Sequence, residues 1–380
     1  MRQSGGLSGR DSHLDALRGL AILLVLLLHA GAMTPGLEEH RYLQIIFDRF
    51  AVGMQLFFVL SGYLISRSWA SLRERPQALA IYAVKRVGKI VPLYMIVLHL
   101  NIALFLWISH VDPTYVPFRN SVSSETLTPL NYFAHLVFLQ GFIPAWQNTL
   151  VDGSWSIVAE VYFYILFPLV FANRCTEPRR AFQTYLAALV IAMATVYLTR
   201  KAQGSYGYYN LINQLPCFLL GAFVQVLHRQ IGAAAVLQRW APSMIAFCAI
   251  AGLGMTHSSV SPLGVHEMYA LVFATVLFAL PYWQTGMAWV ARREILKYMG
   301  RSSYGLFFAH LILLKLQYYV LVDRAGLHDF GLLFAANLLS SILGSLLLSG
   351  LLLDRIDRYC VGLASRLAKR LEGRPATATI

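Results

Sequence analysis

Residues 14–32 read LDALRGLAILLVLLLHAGA, and the ten residues between Arg18 and His29 are all apolar or glycine. A helix rises about 1.5 Å per residue, so about 20 residues of this kind cross a hydrocarbon core. Comparable runs recur at Ile90–Ile108 and Leu332–Leu353. Across the 380 residues, 57% are hydrophobic and 13% charged, roughly half the charge of a soluble chain. That composition excludes a soluble α/β enzyme and predicts an all-α, polytopic transmembrane bundle.

Working outward from the first span, the hydropathy pattern places ten spans near 19–33, 51–66, 90–109, 156–172, 183–199, 211–227, 241–257, 266–283, 303–322 and 331–352. With the N-terminus in the cytoplasm, 24 of the 31 basic residues fall in cytoplasmic segments and 6 on the opposite side, with Lys315 inside a span. This is the positive-inside bias, and it predicts that both termini are cytoplasmic. The apolar stretch 131–143 is too short to cross and would invert every later loop if it did, so it is expected as a re-entrant segment or an outer-surface helix. The polar N-terminus has no cleavable signal pattern, so the first run is expected to be retained. The expected organisation is one transmembrane domain over 1–353 followed by a basic cytoplasmic tail over 354–380.

The net charge of +13 does not point to nucleic acid, because the cations lie in short loops rather than on one continuous face with aromatics. Cys175, Cys217, Cys248 and Cys360 lack metal-ligand spacing. Cys217 and Cys248 lie in apolar runs and read as small core residues; no metal site is expected.

An ionisable side chain inside a span is costly and therefore calls for a reason. Arg18 and His29 are eleven residues apart, which returns the helix to within about 20° of the same face after about 16 Å. One stripe thus carries a cation at the cytoplasmic mouth and an imidazole in the outer half. Taken singly, each residue also fits an interfacial or structural role. Gly153-Ser154-Trp155-Ser156-Ile157-Val158-Ala159-Glu160 enters the fourth span from outside. Ser156 and Glu160 share a face there, and Ser154 suits a helix cap. A carboxylate at the depth of His29 would orient the imidazole as a general base acting on a hydroxyl; a salt bridge between helices is the plainer alternative. Lys85, Arg86 and Lys89 serve topology and also suit phosphates. His310 falls near mid-membrane, where a histidine suggests function. Lys315 is expected to snorkel outward, and His13, His99, His135, His228 and His266 to be interfacial or structural.

Taken together and in this order, these pieces resemble the acyltransferase 3 family of bacterial membrane O-acyltransferases. The matching residues are Leu14-Asp15-Ala16-Leu17-Arg18-Gly19-Leu20-Ala21, the Arg18-x10-His29 spacing, and Phe57-Phe58-Val59-Leu60-Ser61-Gly62-Tyr63-Leu64. With them go Arg86-x2-Lys89-x2-Pro92, Gly153-Ser154-Trp155-Ser156-x3-Glu160 and Ser303-Tyr304 to His310. The resemblance implies transfer of an acyl group, usually acetyl, from a cytoplasmic acyl-CoA to a hydroxyl of a cell-surface or exported glycan or glycoside. Acyl-CoA would be a donor substrate, with no bound cofactor, and the protein would lie in a bacterial inner membrane with the lipid bilayer as its partner. The resemblance makes Arg18 and His29 the leading catalytic pair, with Ser156 and Glu160 beside them. Arg18, Arg86 and Lys89 would hold the donor, and Trp155, Tyr304 and His310 would contact substrate. Two departures stand out: Lys89 where arginine is common, which loses bidentate phosphate geometry, and Ala309 where a bulkier residue is frequent. Direct attack and a covalent acyl relay both remain open. A transporter without chemistry is the rival, since a polar first-helix face and a midspan histidine also suit a substrate path.

Overall fold

The computed structural model describes residues 7–115, 122–199, 206–231, 235–254 and 262–373, and among them every regular element is helical. Arg2, Arg119, Arg200, Lys201 and Arg374, whose charges enter the orientation of the chain, lie outside the described residues. The helices are α1 (Leu7–Ala32), α2 (Arg41–Arg49), α3 (Gly53–Leu72), α4 (Ala78–Val111), α5 (Pro129–Leu136) and α6 (Ser154–Leu166). They continue as α7 (Pro178–Thr199), α8 (Tyr206–Tyr209), α9 (Leu211–Gln230), α10 (Ala235–Gly254), α11 (Pro262–Ala279) and α12 (Gln284–Ala291). The chain ends with α13 (Glu294–Arg301), α14 (Ser303–Tyr318), α15 (Phe330–Leu339), α16 (Ser345–Leu348) and α17 (Asp354–Leu371).

Among the described residues, eight helices are long and apolar enough to cross a membrane, and nine if the pair His266–Tyr282 and Gln284–Ala291, bent by 103°, counts as one. The bend falls at Leu280–Tyr282, where Pro281 removes a backbone donor from the ladder. The expected span 241–257 coincides with α10, which is not among those nine, and its last residues, 255–257, are outside the described set. The last span is longer than expected: Phe330–Leu371 is one 42-residue helix in which short π turns link α15, α16 and α17. Residues 354–371 of the basic tail therefore continue the final span, packed along α4.

Lipid offers no hydrophobic drive for helices to associate, so close backbone approach through small residues takes its place. At the α3–α9 crossing, a Cβ on Gly62 would overlap the Phe218 carbonyl, and one on Gly221 would overlap the Val59 carbonyl. Gly19 and Gly300 make the same kind of contact between α1 and α13. Behind the α3–α9 crossing, Phe163 and Phe58 each pack on Phe218 with centroids 4.6 Å apart, an aromatic wall that backs the site.

The stretch 131–143 folds back into the bundle. α5 is capped by the Thr128 hydroxyl, Phe138 takes a left-handed turn, and two short 3-10 turns follow. Asn131, His135 and Gln140 are fully buried, and the Tyr94 hydroxyl joins His135 Nδ1 and Gln140 Nε2, each at 2.8 Å. Burial pushes His135 down to about 4, so its imidazole is neutral at physiological pH and serves packing.

Candidate functional site

Five cations converge on one chamber of about 650 Å³, within the usual size range of a ligand pocket. α1 brings Arg18, α3 brings Arg67, and α4 brings Lys85, Arg86 and Lys89, while α17 closes the side with Val361 and Ser365. The spacing of 85, 86 and 89 lays successive turns of α4 against the cavity. The Arg86 guanidinium lies 5.2 Å from the Tyr82 ring centre and 5.0 Å from that of Tyr164. Lys89 Nζ stands 4.9 Å over the Tyr304 ring and pairs with Asp357 at 2.7 Å. The buried Nε atoms of Arg18 and Arg86 have no hydrogen-bond partner among the described residues. Buried guanidinium donors of this kind suit an anion.

Arg18 and Tyr304 also line a second, narrow cleft of about 30 Å³ with Ser61, Ser156, Glu160 and Phe307, so the two cavities adjoin at these side chains. Glu160 is 8% exposed and takes three hydroxyl bonds: Ser61 Oγ and Tyr164 at 2.8 Å on Oε1, and Tyr304 on Oε2. Three donors replace the water a buried carboxylate would otherwise lack. Ser156 Oγ donates to the Gly153 carbonyl at 2.9 Å.

Beyond Phe307 lies a histidine pair. His310 is fully buried and sits 5.8 Å from Phe307, centroid to centroid. Its Nδ1 lies 3.1 Å from the Leu306 carbonyl, and its Nε2 lies 3.2 Å from His29 Nδ1, which is also 2.9 Å from the Val25 carbonyl. A carbonyl can only accept, so this network assigns both Nδ1 atoms as N–H. His310 Nε2 then accepts from His29, and His29 Nε2 makes no hydrogen bond among the described residues.

The structure brings Arg18, Glu160, Ser156 and Tyr304 together, joins His29 to His310, and gathers Arg18, Arg86 and Lys89. The expected Glu160–His29 pair does not form. The reason is depth: α6 starts in the interior, with Ser154 fully buried and Gly153 as its left-handed N-cap beside Phe307. Asp152 and Gly153 are thus level with the histidines, and Glu160, about 10 Å further along the helix, reaches the chamber end. Ser154 does not cap the helix with its side chain; its hydroxyl donates to the Gln147 carbonyl at 2.6 Å. Trp155 turns away from the cleft lining and packs on Phe58, Tyr208 and Tyr209. Lys315 does not snorkel free but forms an ion pair with Asp152, whose charge acts on His29.

Four partners escape a reading of the sequence. Tyr164 is four residues after Glu160, a spacing that places it on the same face, and Ser61 is a lone hydroxyl in an apolar run. Asp152 and Asp357 carry no local signal.

The chain matches the acyltransferase domain family, acyltransferase 3, over residues 11–353. It is 28% identical over 223 residues to a protein named as a putative membrane-bound transacylase, BcsY, of Komagataeibacter xylinus, covering 58% of this chain and 52% of that one. It is 23% identical over 222 residues to the O-acetyltransferase OatA of Staphylococcus aureus, covering 56% and 34% respectively. A regulator of hypoxia-inducible factor 1 from Caenorhabditis elegans is 23% identical over 209 residues, 49% of this chain and 40% of that one. The aligned part is therefore about half, or less, of each relative's length. No solved structure matches.

Proposed function

The chain belongs to the acyltransferase 3 family, and on that premise we propose that it is a membrane O-acyltransferase that moves an acyl group, most simply acetyl, from acyl-CoA to a hydroxyl of a glycan or glycoside. The transacylase and O-acetyltransferase names of its relatives support the reaction class. The observation that carries the reading is that Arg18 and Tyr304 line both the cationic chamber and the cleft beyond it. A ligand with an anionic body and a slender reactive arm suits that shape.

In this reading Arg18, Arg86 and Lys89 hold the CoA phosphates. The thioester arm passes Tyr304 into the cleft, where Glu160 fixes the two tyrosines and Ser61 and Ser156 offer hydroxyls. The acceptor hydroxyl gives its proton to His29 Nε2 and forms the new C–O bond at the thioester carbonyl. The C–S bond breaks, and the CoA thiolate leaves and takes up the proton that His29 received. His310, not Glu160, holds His29 in the tautomer that leaves Nε2 as the base. The charge bias of the loops supports placing the chamber on the cytoplasmic side, where acyl-CoA is found, in a bacterial inner membrane.

The test is release of free CoA thiol by proteoliposomes carrying the purified protein, acetyl-CoA and a glycoside acceptor. Acceptor-dependent release that falls at least about a hundredfold in His29→Ala, the usual minimum for losing a general base, is expected. Equal release by His29→Ala would overturn the assignment, and solute movement without thiol release would favour the transporter.

A further inference from the structure

The family match ends at residue 353, and α17 begins at Asp354. The segment outside the match nevertheless builds part of the chamber, since Val361 and Ser365 line it. Its attachment is tight: a Cβ on Gly88 of α4 would overlap the Ala364 side chain, and Ala364 and Ala368 are buried. The same helix delivers a carboxylate to the site. Asp357 Oδ2 lies 2.7 Å from Lys89 Nζ, and Asp357 Oδ1 is buried with no hydrogen-bond partner among the described residues. Side-chain exposure is 24% for Lys89 and 13% for Asp357, so the pair is only weakly screened by solvent.

We infer that Asp357 is an internal competitor for the anionic ligand at Lys89, so that α17 sets how tightly the donor is held. Lys89 stands at the mouth of the reactive cleft, over the Tyr304 ring whose hydroxyl bonds Glu160. A phosphate arriving there meets a lysine already paired with Asp357 and must displace that carboxylate to reach its charge. A like charge beside an anion site weakens the anion, and its removal strengthens binding. The inference rests on the reading of the chamber as the donor site. A donor that binds too tightly retains its product, free CoA, because both carry the same phosphates. A carboxylate that partly cancels Lys89 therefore favours turnover over retention.

The experiment is calorimetric binding of CoA to the purified full-length protein in detergent, for wild type, Asp357→Asn, Lys89→Gln and the double variant. Asp357→Asn is expected to bind CoA about 3- to 10-fold tighter, the scale of one weakly screened charge contact. The gain should vanish in the Lys89→Gln background. Asp357→Glu, which keeps the charge, should stay within about twofold of wild type and checks that any gain comes from charge rather than disturbed packing. Equal or weaker binding by Asp357→Asn, or the same gain without Lys89, overturns the inference. Inorganic pyrophosphate is the second probe. If Asp357→Asn tightens pyrophosphate while CoA binds no variant, the competitor role stands and the donor reading fails. If neither probe binds any variant, both fail.

Discussion

At the residue scale the site has two stations, a carboxylate bound by three hydroxyls and a pair of hydrogen-bonded imidazoles, with Phe307 between them. Arg18 joins the first station to the chamber, and its Nε is unpartnered among the described residues. A charge-assisted contact to phosphate contributes about 1.5–3 kcal/mol. Arg18→Ala is therefore expected to raise the KM for acyl-CoA about 10- to 100-fold with a smaller effect on kcat, measured by initial rates at saturating acceptor. A KM within twofold of wild type would remove Arg18 from donor binding. Residue types and their helical faces are legible in the amino-acid sequence: Arg18 and His29 do lie on the inward stripe of α1. Their partners are not. A sequence assigns each residue a position along its own helix, but the zero of that scale depends on where the helix begins in depth. α6 begins inside the bundle, so Glu160 sits well below the level that a surface start would give it. That single offset exchanges Glu160 for His310 as the partner of His29.

At the element scale, apolar runs of about 20 residues map onto helices, because length and hydropathy suffice to mark a span. The shortness of 131–143 likewise marks a segment that turns back. The basic tail is less transparent. Its charges suggest a solvated extension, whereas its small residues, Ala364 and Ala368, are buried, Ala364 against α4, and make it a wall of the chamber. Close crossings are a further feature that composition conceals. At Gly62 any Cβ meets a backbone carbonyl of α9, which cannot rotate away as a side chain could. Gly62→Ala should therefore cost at least about 2 kcal/mol, the scale of overpacking in a close-packed interior. It should appear as a lower thermal midpoint in detergent and a smaller folded fraction. An unchanged midpoint would show that α3 and α9 can separate without loss.

At the scale of the whole molecule, the charge bias of the loops and the position of the chamber coincide. The cations that the loop count assigns to the cytoplasm at 18, 67, 85, 86 and 89 surround a single cavity, so the chamber faces whichever side those loops face. Single cysteines at Arg73 and Glu372, in a chain otherwise free of cysteine, should react with a membrane-impermeant maleimide only after the inner membrane is opened. Labelling of intact spheroplasts at both positions would invert the topology and place the chamber away from cytoplasmic acyl-CoA. In the proposed reaction this chamber feeds an acyl group to a hydroxyl activated by His29. The most direct measurement is the mass of surface glycans from a deletion strain carrying wild-type protein or His29→Ala at equal membrane abundance. The account predicts glycans heavier by one acyl unit with wild type and unmodified glycans with His29→Ala; equal acylation in both strains would contradict it.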